Sequence, residues 1–310
     1  MAMMLSADEI DFTAYEQATE FKAKVRPASL YADELMAEFS APTGPQAAYM
    51  ASTKLRSVIE FRPGEVSVWA GYNGHRKSTF TGQVALDLIA QSQRTLAISL
   101  EMQPRKTLAR MARQACANAS PSHARLNQFM KWTDGRFWLF DHIGRLTPSK
   151  CLGVLRYFAA ELAGQHVFID SFMKVCESEE SMDEQKAMVG NLCDVAEETD
   201  LHIHLIAHCR KPTGGAEDKP PTKYDIKGSG AITDQPHNVL MVWENKLKRA
   251  EADKREPDPK IMSGIDAMVT IEKQRNGSVE GKFGLYIDNQ SLRFCDSNLT
   301  AVEPYAMERA

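Results

Sequence analysis

No stretch of this chain approaches 18 uninterrupted apolar residues, and the acidic N-terminus, MAMMLSADEIDFTAYEQ, has no apolar core. A membrane-spanning helix needs the first and a secretory signal the second, so the expectation is a soluble, cytoplasmic protein with no membrane partner. Cysteine is scarce. Six thiols (Cys116, Cys151, Cys176, Cys193, Cys209 and Cys295) are scattered through 310 residues without a single C-x-x-C pair. That pattern excludes a disulfide scaffold and a cage of clustered thiolates, and implies reduced, mostly buried thiols. An excess of basic charge is also missing, since the formal net charge is −4. A generally basic nucleic-acid coat is thereby excluded, but a local basic wall is not, because the field a bound strand feels is local. There are no internal repeats.

What remains is an ordinary globular balance, 43% hydrophobic and 25% charged, sufficient for a substantial core. A length of 310 residues suits one large domain or two small ones. The chain is polar up to about Ala47 except for SLYADELMAEF (29–39), where Leu30, Leu35, Met36 and Phe39 fall at helical spacing. The polar link SAPTGPQ follows it. We divide the chain into a tail and linker helix over 1–50 and a main domain over 51–310. The helix could pack on its own domain or on a neighbouring subunit.

From Glu65 onward short apolar runs alternate with helical patterns. Strands are expected at 66–71, 95–100, 137–141, 166–170, 202–207, 239–244 and 267–273, with a closing hairpin at 283–288 and 291–295. Helices are expected at 77–91, from about Pro104, at 148–163 and at 183–199. This alternation predicts an α/β fold, a mainly parallel sheet covered on both faces, with antiparallel strands added at one edge. Two segments, 209–230 and 246–264, are rich in Gly, Pro and charge and read as mobile loops.

Residues 71–79 read GYNGHRKST. They lie between an expected strand and an expected helix, where a phosphate-cradling loop of the form G-x-x-x-x-G-K-[ST] belongs. Backbone N–H groups and the helix start would attract phosphate oxygens, with Gly71, Asn73, Gly74, His75, Arg76 and Thr79 lining the nucleotide. Lys77 would reach the β- and γ-phosphates, and the Ser78 hydroxyl would ligate Mg²⁺. Arg76 stands where the second glycine belongs, and an arginine restricts the backbone that glycine frees. Pointing outward it would do no harm, and its guanidinium could even contact a phosphate or a nucleic acid.

Two further strands end in acids: SLEM places Glu101 and HVFIDS places Asp170 at the C-terminal strand ends, where α/β sheets bind ligands. Asp170 would hold Mg²⁺ through water while Glu101 orients and deprotonates the attacking water. HIHLIAH carries His202, His204 and His208. The alternate pair could bind a metal, or His208 could lie near the γ-phosphate with the other two packing earlier along the strand. VTIEKQRNG ends a strand with Lys273 and Arg275 two positions apart on one face. They are either solvated edge charges or cations that stabilise transferring phosphate, donated by a neighbouring subunit.

Together, GYNGHRKST, the SLEM strand, HVFIDS, KGSGAITDQPHNVLMVWENK and the EKQRNG strand resemble, in order and over about 55–295, the DnaB-type, RecA-fold replicative helicases. His208 in IAHCRKP is more similar to phage primase–helicases and the mitochondrial Twinkle helicase. The resemblance implies a RecA-like P-loop ATPase that uses ATP and Mg²⁺, a stand-alone helicase domain encoded by a phage or prophage. It makes Glu101 the catalytic base, Asp170 the Walker B acid and His208 the γ-phosphate sensor. Arg275 becomes an arginine finger acting in trans, supported by Lys273, and the 29–39 helix docks on the next subunit of a hexameric ring. DNA-binding loops would fall near 174–183 and 211–233, with Lys211, Lys223, Lys227, Gly228 and Ser229 facing single-stranded DNA. Primase or a helicase loader would be further partners. The residues also leave open a RecA-like DNA-maintenance ATPase that does not unwind, a structural single-strand-binding ring whose ATP site has decayed through Arg76, and a histidine-based metallohydrolase.

Overall fold

The computed structural model describes residues 27–33, 35–36, 47–176, 178, 180–212, 217–299 and 301–307. It comprises two compact units, Met1–Gln46 and Ala47–Ala310. In the first, Ala28–Tyr31 form a 3-10 turn and residues 32, 33, 35 and 36 are helical. Leu30, Leu35 and Met36 are exposed. Residues 37–39 of the expected helix, with Phe39, lie outside the described residues.

The second unit opens with a short antiparallel pair, β1 (Ala48–Tyr49) and β2 (Glu60–Phe61). Then come β3 (Val66–Ala70), α1 (Lys77–Ala90), β4 (Thr95–Ser99), α2 (Pro104–Ala115) and α3 (His123–Thr133). The middle of the chain adds β5 (Phe137–Leu139), α4 (Pro148–Leu162), β6 (His166–Asp170), α5 (Met182–Thr199) and β7 (His202–Ile206). Short α6 (Ala231–Asp234) precedes β8 (Asn238–Glu244), α7 (Lys246–Ala252) and α8 (Pro259–Met262). The chain closes on β9 (Ala267–Gln274), β10 (Gly281–Asp288) and β11 (Arg293–Cys295).

Nine strands form one sheet in the order β11-β10-β9-β8-β3-β7-β6-β4-β5. Pairing is parallel from β5 through β8 and antiparallel from β8 to β11. The expected mainly parallel sheet with an antiparallel edge is therefore what the chain builds. Every residue of β3 is buried, as a central strand covered on both faces requires. Val66, Val68 and Ala70 face a core with Leu155, Phe158, Met188 and Leu192 from α4 and α5. Trp69, on the other face, packs with Phe80, Val84, Leu88 and Met111 from α1 and α2. The pleat sends alternate side chains into two cores.

The run at 246–264 is not a bare loop: it contains α7 and α8. The Asn245 side chain accepts from Lys248 N and starts the first, while Asp258 accepts from Lys260 N ahead of Pro259 and starts the second. In 209–230, Thr222 and Asp225 form a capping box around a 3-10 turn at Lys223–Asp225, and residues 213–216 lie outside the described residues. Strand β5 stops at Leu139, short of the expected 141, and α3 and the β1–β2 pair were not legible beforehand. Among the described residues no helix is long and apolar enough to cross a membrane.

Candidate active site

Parallel strands deliver their C-terminal ends to one edge of the sheet, and the residues after β3, β4, β6, β7 and β8 meet there. The loop after β3 is shaped by two glycines. A Cβ on Gly71 would lie 2.2 Å from the Val242 carbonyl oxygen, so no other residue fits, and Gly74 has φ +75°. Lys77 begins α1 with only 5% of its surface exposed, and its Nζ donates to the Gly71 and Tyr72 carbonyls, each at 2.9 Å. Burial lowers the Lys77 ammonium from its usual value, against the pull of Asp170.

Arg76 takes φ 58°, ψ 23°, the left-handed region, at the N-cap of α1. For a residue with a Cβ this costs roughly 1–2 kcal/mol. Its side chain is half-buried, and Nε donates to Glu244 Oε1 at 2.6 Å. Glu244 is 2% exposed and also accepts from Arg249 Nη1 at 3.0 and 2.9 Å. Its backbone N–H donates to His75 Nδ1 at 3.1 Å. His75 is fully buried, and burial lowers its pKa. With Nδ1 accepting, the ring proton sits on Nε2 and is donated to Glu217 Oε2 at 3.0 Å. Glu217 also accepts from Lys246 Nζ at 2.6 Å, while the Trp243 indole donates to the Glu217 carbonyl oxygen at 2.9 Å.

The acids stand opposite. Ser78 Oγ donates to Asp170 Oδ2 at 2.5 Å. Burial raises the Asp170 carboxyl above its usual value, offset in part by Ser78. The next residue, Ser171, follows a cis peptide bond and donates Oγ to Glu101 Oε1 at 2.8 Å. His208 Nε2 lies 3.8 Å from the same oxygen, ion-pair reach but longer than a hydrogen bond. The imidazole first, and the Ser171 hydroxyl after it, hold the Glu101 carboxyl down to about 2 against its own burial. His208 Nδ1 is buried without a hydrogen-bond partner among the described residues. A hydroxyl and a half-buried carboxylate meeting at a strand end form the hard oxygen donor set that Mg²⁺ takes, so Ser78 and Asp170 fit the ion.

The family model of the DnaB-like helicase C-terminal domain matches residues 53–296. The chain belongs to this family. Its relatives include the replicative DNA helicases DnaB of Rickettsia typhi, 24% identical over 163 residues, and Rickettsia prowazekii, also 24%. Those alignments cover 48% of this chain and 33% of each relative, so the match spans about a third of their length. A solved ATPase domain superposes with a TM-score of 0.75 over 88% of this chain and 100% of that one, at 15% identity. A DnaB-like replicative helicase, described with its interactions with primase, gives 0.74 over 91% of this chain and 71% of that one, also at 15%. The fold is thus that of the RecA-like helicase ATPases.

Within this DnaB-like frame, Lys273 and Arg275 do not join the phosphate loop. They sit at the far end of β9, which runs antiparallel to β8 with Lys273 opposite Val239 and Arg275 N bonded to the His237 carbonyl. Lys273 Nζ donates to the carbonyls of Thr233, Asp234 and Pro236 at 3.0, 2.7 and 2.8 Å, and Arg275 Nη2 to that of Gln235 at 3.2 Å. Both cations therefore converge on one turn. The turn and Glu244 lie at opposite ends of the seven-residue β8, roughly 20 Å of strand apart.

Of the loop after His208, Lys211 and Lys227 are exposed and Lys223 Nζ reaches the Glu272 carbonyl at 3.5 Å. The segment doubles back on itself: Cys209 bridges Ile226, and Lys227 N donates to the His208 carbonyl at 2.8 Å. Gly228 has φ +114°, and a Cβ there would lie 2.4 Å from Gln185 Oε1, which accepts from Ser229 N at 2.8 Å. Gly228 and Ser229 are thus the anchor of this loop on α5. His202 and His204 are core side chains. His202 bonds Ser67 Oγ and the Arg62 carbonyl, and His204 accepts from the Trp69 indole and stacks 4.1 Å from Phe168. Among the described residues, no three His, Cys, Asp or Glu side chains are grouped to hold a metal.

Sequence reading missed Ser171, Glu217, Glu244 and Arg110. The last lines a cavity of about 30 Å³ with Ser78, Thr107 and Asp170, its Nε without a hydrogen-bond partner among the described residues. Glu244 had a signal: VLMVWE ends a strand in an acid, the same criterion that picked out Glu101 and Asp170. Nothing local marks the other three.

Proposed function

We propose that this chain is the motor of an ATP-driven, ring-forming replicative DNA helicase that translocates on single-stranded DNA and unwinds duplex. The observation that carries this reading is the separation of two sets of residues along β8. Lys77, Ser78, Glu101, Asp170 and His208 gather at one end of the sheet, and Lys273 and Arg275 lie at the other. The Lys273 and Arg275 side chains are held by the carbonyls of the 233–236 turn, at the end of β8 away from the phosphate loop, and in this reading they serve a phosphate on another copy of the chain. A homo-oligomeric ring, a hexamer by family resemblance, supplies that copy.

In this mechanism Lys77 exchanges the Gly71 and Tyr72 carbonyls for the β- and γ-phosphates, and residues 73–76 and Thr79 complete the cradle. Ser78, directly, and Asp170, through water, would hold a magnesium ion that neutralises charge on the phosphates. Glu101, ionised at neutral pH, takes the proton of the attacking water. His208 touches Glu101 on one side and is bonded through its carbonyl to Lys227 on the other. Loss of the γ-phosphate at His208 would therefore be felt in the 209–230 loop. There Lys211, Lys223 and Lys227 would contact DNA phosphates in a salt-dependent, sequence-indifferent way, with Gly228 and Ser229 holding the loop to α5. Primase or a loader, and a cytoplasmic location, belong to the same reading.

The test is strand separation on a forked duplex, run beside ATP hydrolysis with and without single-stranded DNA. Unwinding with DNA-stimulated turnover is the expected result. Filaments that hydrolyse ATP without unwinding would indicate a recombination-type ATPase. Strand binding without turnover, unchanged by Glu101→Gln, would indicate a structural ring.

A further inference from the structure

We propose that Glu244 is a positioning residue of the phosphate loop, and that its carboxylate is what makes an arginine workable at position 76. The inference rests on the phosphate-loop reading above and concerns how that loop is held.

Glu244 grips two consecutive loop residues. Its carboxylate takes Arg76 Nε at 2.6 Å, and its backbone N–H takes His75 Nδ1 at 3.1 Å. The residue that follows Arg76 is Lys77. Whatever sets the backbone at 75–76 therefore sets where the Lys77 side chain departs and where α1 begins, since Thr79 N and Phe80 N both bond the Arg76 carbonyl. Glycine would adopt φ 58° there without strain. Arginine does not, and needs an outside contact to hold it. Glu244 supplies that contact from the end of β8, a strand buried along all seven residues and paired with β3 itself.

The pairing is asymmetric. Arg249 donates to both Glu244 oxygens at 3.0 and 2.9 Å, so the acid remains paired and aimed if Arg76 is removed. The Arg76 side chain, by contrast, has Glu244 as its one hydrogen-bonding partner among the described residues. An almost fully buried carboxylate beside two guanidiniums is also a poor place for a neutral amide, because both cations would lose their counter-charge. The guanidinium of Arg76 is thereby committed to the protein rather than to a phosphate, which leaves Lys77 as the loop's cation toward the nucleotide.

The experiment measures equilibrium binding of a fluorescent ATP analogue, together with KM and kcat for ATP. It uses the full chain, Arg76→Gly, Glu244→Gln, the double variant and Arg76→Lys, with thermal unfolding of each as a check on folding. Glu244→Gln should weaken nucleotide binding and raise KM about tenfold while kcat changes less than threefold. In the Arg76→Gly background the same substitution should change binding by less than threefold relative to Arg76→Gly alone. Arg76→Lys keeps the charge but lacks the Nε that donates to Glu244 Oε1, and should resemble Glu244→Gln. Equal weakening by Glu244→Gln in both backgrounds would overturn the proposal, because Glu244 would then act without Arg76. Normal binding by Arg76→Lys would overturn it too, and that arm stands even if Glu244→Gln does not fold. Binding that shows the coupling without any hydrolysis would uphold the positioning role and count against the enzymatic reading instead.

Discussion

Ser78 Oγ and Asp170 Oδ2 lie 2.5 Å apart, tying the first turn of α1 to the end of β6. The two oxygens belong to elements separated by 92 positions in sequence, and they are the pair a magnesium ion would use. Asp170→Asn keeps the shape and removes the charge. It should lower ATP turnover by about 10²–10³-fold, a loss typical of removing one electrostatic partner of the reacting phosphate. Steady-state hydrolysis at saturating magnesium checks this, and turnover in EDTA should be absent. Near-normal turnover by Asp170→Asn would remove it from the site.

Lys77→Ala should abolish hydrolysis, more than about 10²-fold, by deleting the charge on the β- and γ-phosphates. Arg275→Ala should also lose turnover while leaving assembly intact, because its side chain lies a strand-length from its own phosphate loop. Mixing the two inactive proteins should then restore part of the activity, in rings where an intact loop meets an intact arginine. No recovery in rings shown to be mixed would sink the in-trans assignment.

The Glu101 carboxyl is held down to about 2, by His208 above all. A group with a lowered pKa is ionised at every pH above that value, so the base form is fully present from pH 5 to 8. The rate of hydrolysis should show no acid limb from Glu101 in that window. Glu101→Gln should bind nucleotide normally and lose turnover. His208→Ala should move the carboxyl up toward the ordinary glutamate range near 4.3, and a limb appearing there, read from kcat/KM against pH, is the measurement.

The buried histidines predict acid lability. Burial lowers His202 to about 4 and drives His166 and His204 well below the usual value. Above pH 6.5 these rings are neutral in both folded and unfolded chains and contribute nothing. As pH falls from 6.5 toward 4, the unfolded chain binds protons that the folded one refuses. Stability then drops as pH falls, because unfolding takes up the protons these rings refuse when folded. Asp87, raised by burial to about 6, and Asp170, also raised by burial, work in the opposite sense, whereas His75 and His237 are lowered by burial and add to the acid loss. Urea unfolding between pH 7 and 4.5 should show the net loss. His204→Phe should be less stable at pH 7 by about 1–3 kcal/mol, since the Trp69 indole loses its acceptor, yet should flatten the acid slope by one proton.

Much of the fold was readable because its signals are short-ranged. Short apolar runs of about five residues mark β3, β4, β6 and β7, helical patterns mark α1, α4 and α5, and a glycine-lysine-serine spacing marks the loop between β3 and α1. Glu101 and Asp170 were legible for the same reason, as acids at the last position of an apolar run. The capping residues Asn245 and Asp258 were equally local and still went unread, because the charge around them resembled a loop.

What the chain alone determined, then, is the order of its elements and the placing of the phosphate loop and its two acids, since each depends only on neighbours within a turn or a strand. Whether an arginine could stand at position 76 depended on Glu244, 168 positions away, arriving beside it at the end of β8. Whether His202 and His204 were ligands or core depended on Phe61, Trp69 and Phe168 closing around them. Those outcomes belong to the tertiary structure, because burial and charge pairing arise only when strand order and register bring distant residues together.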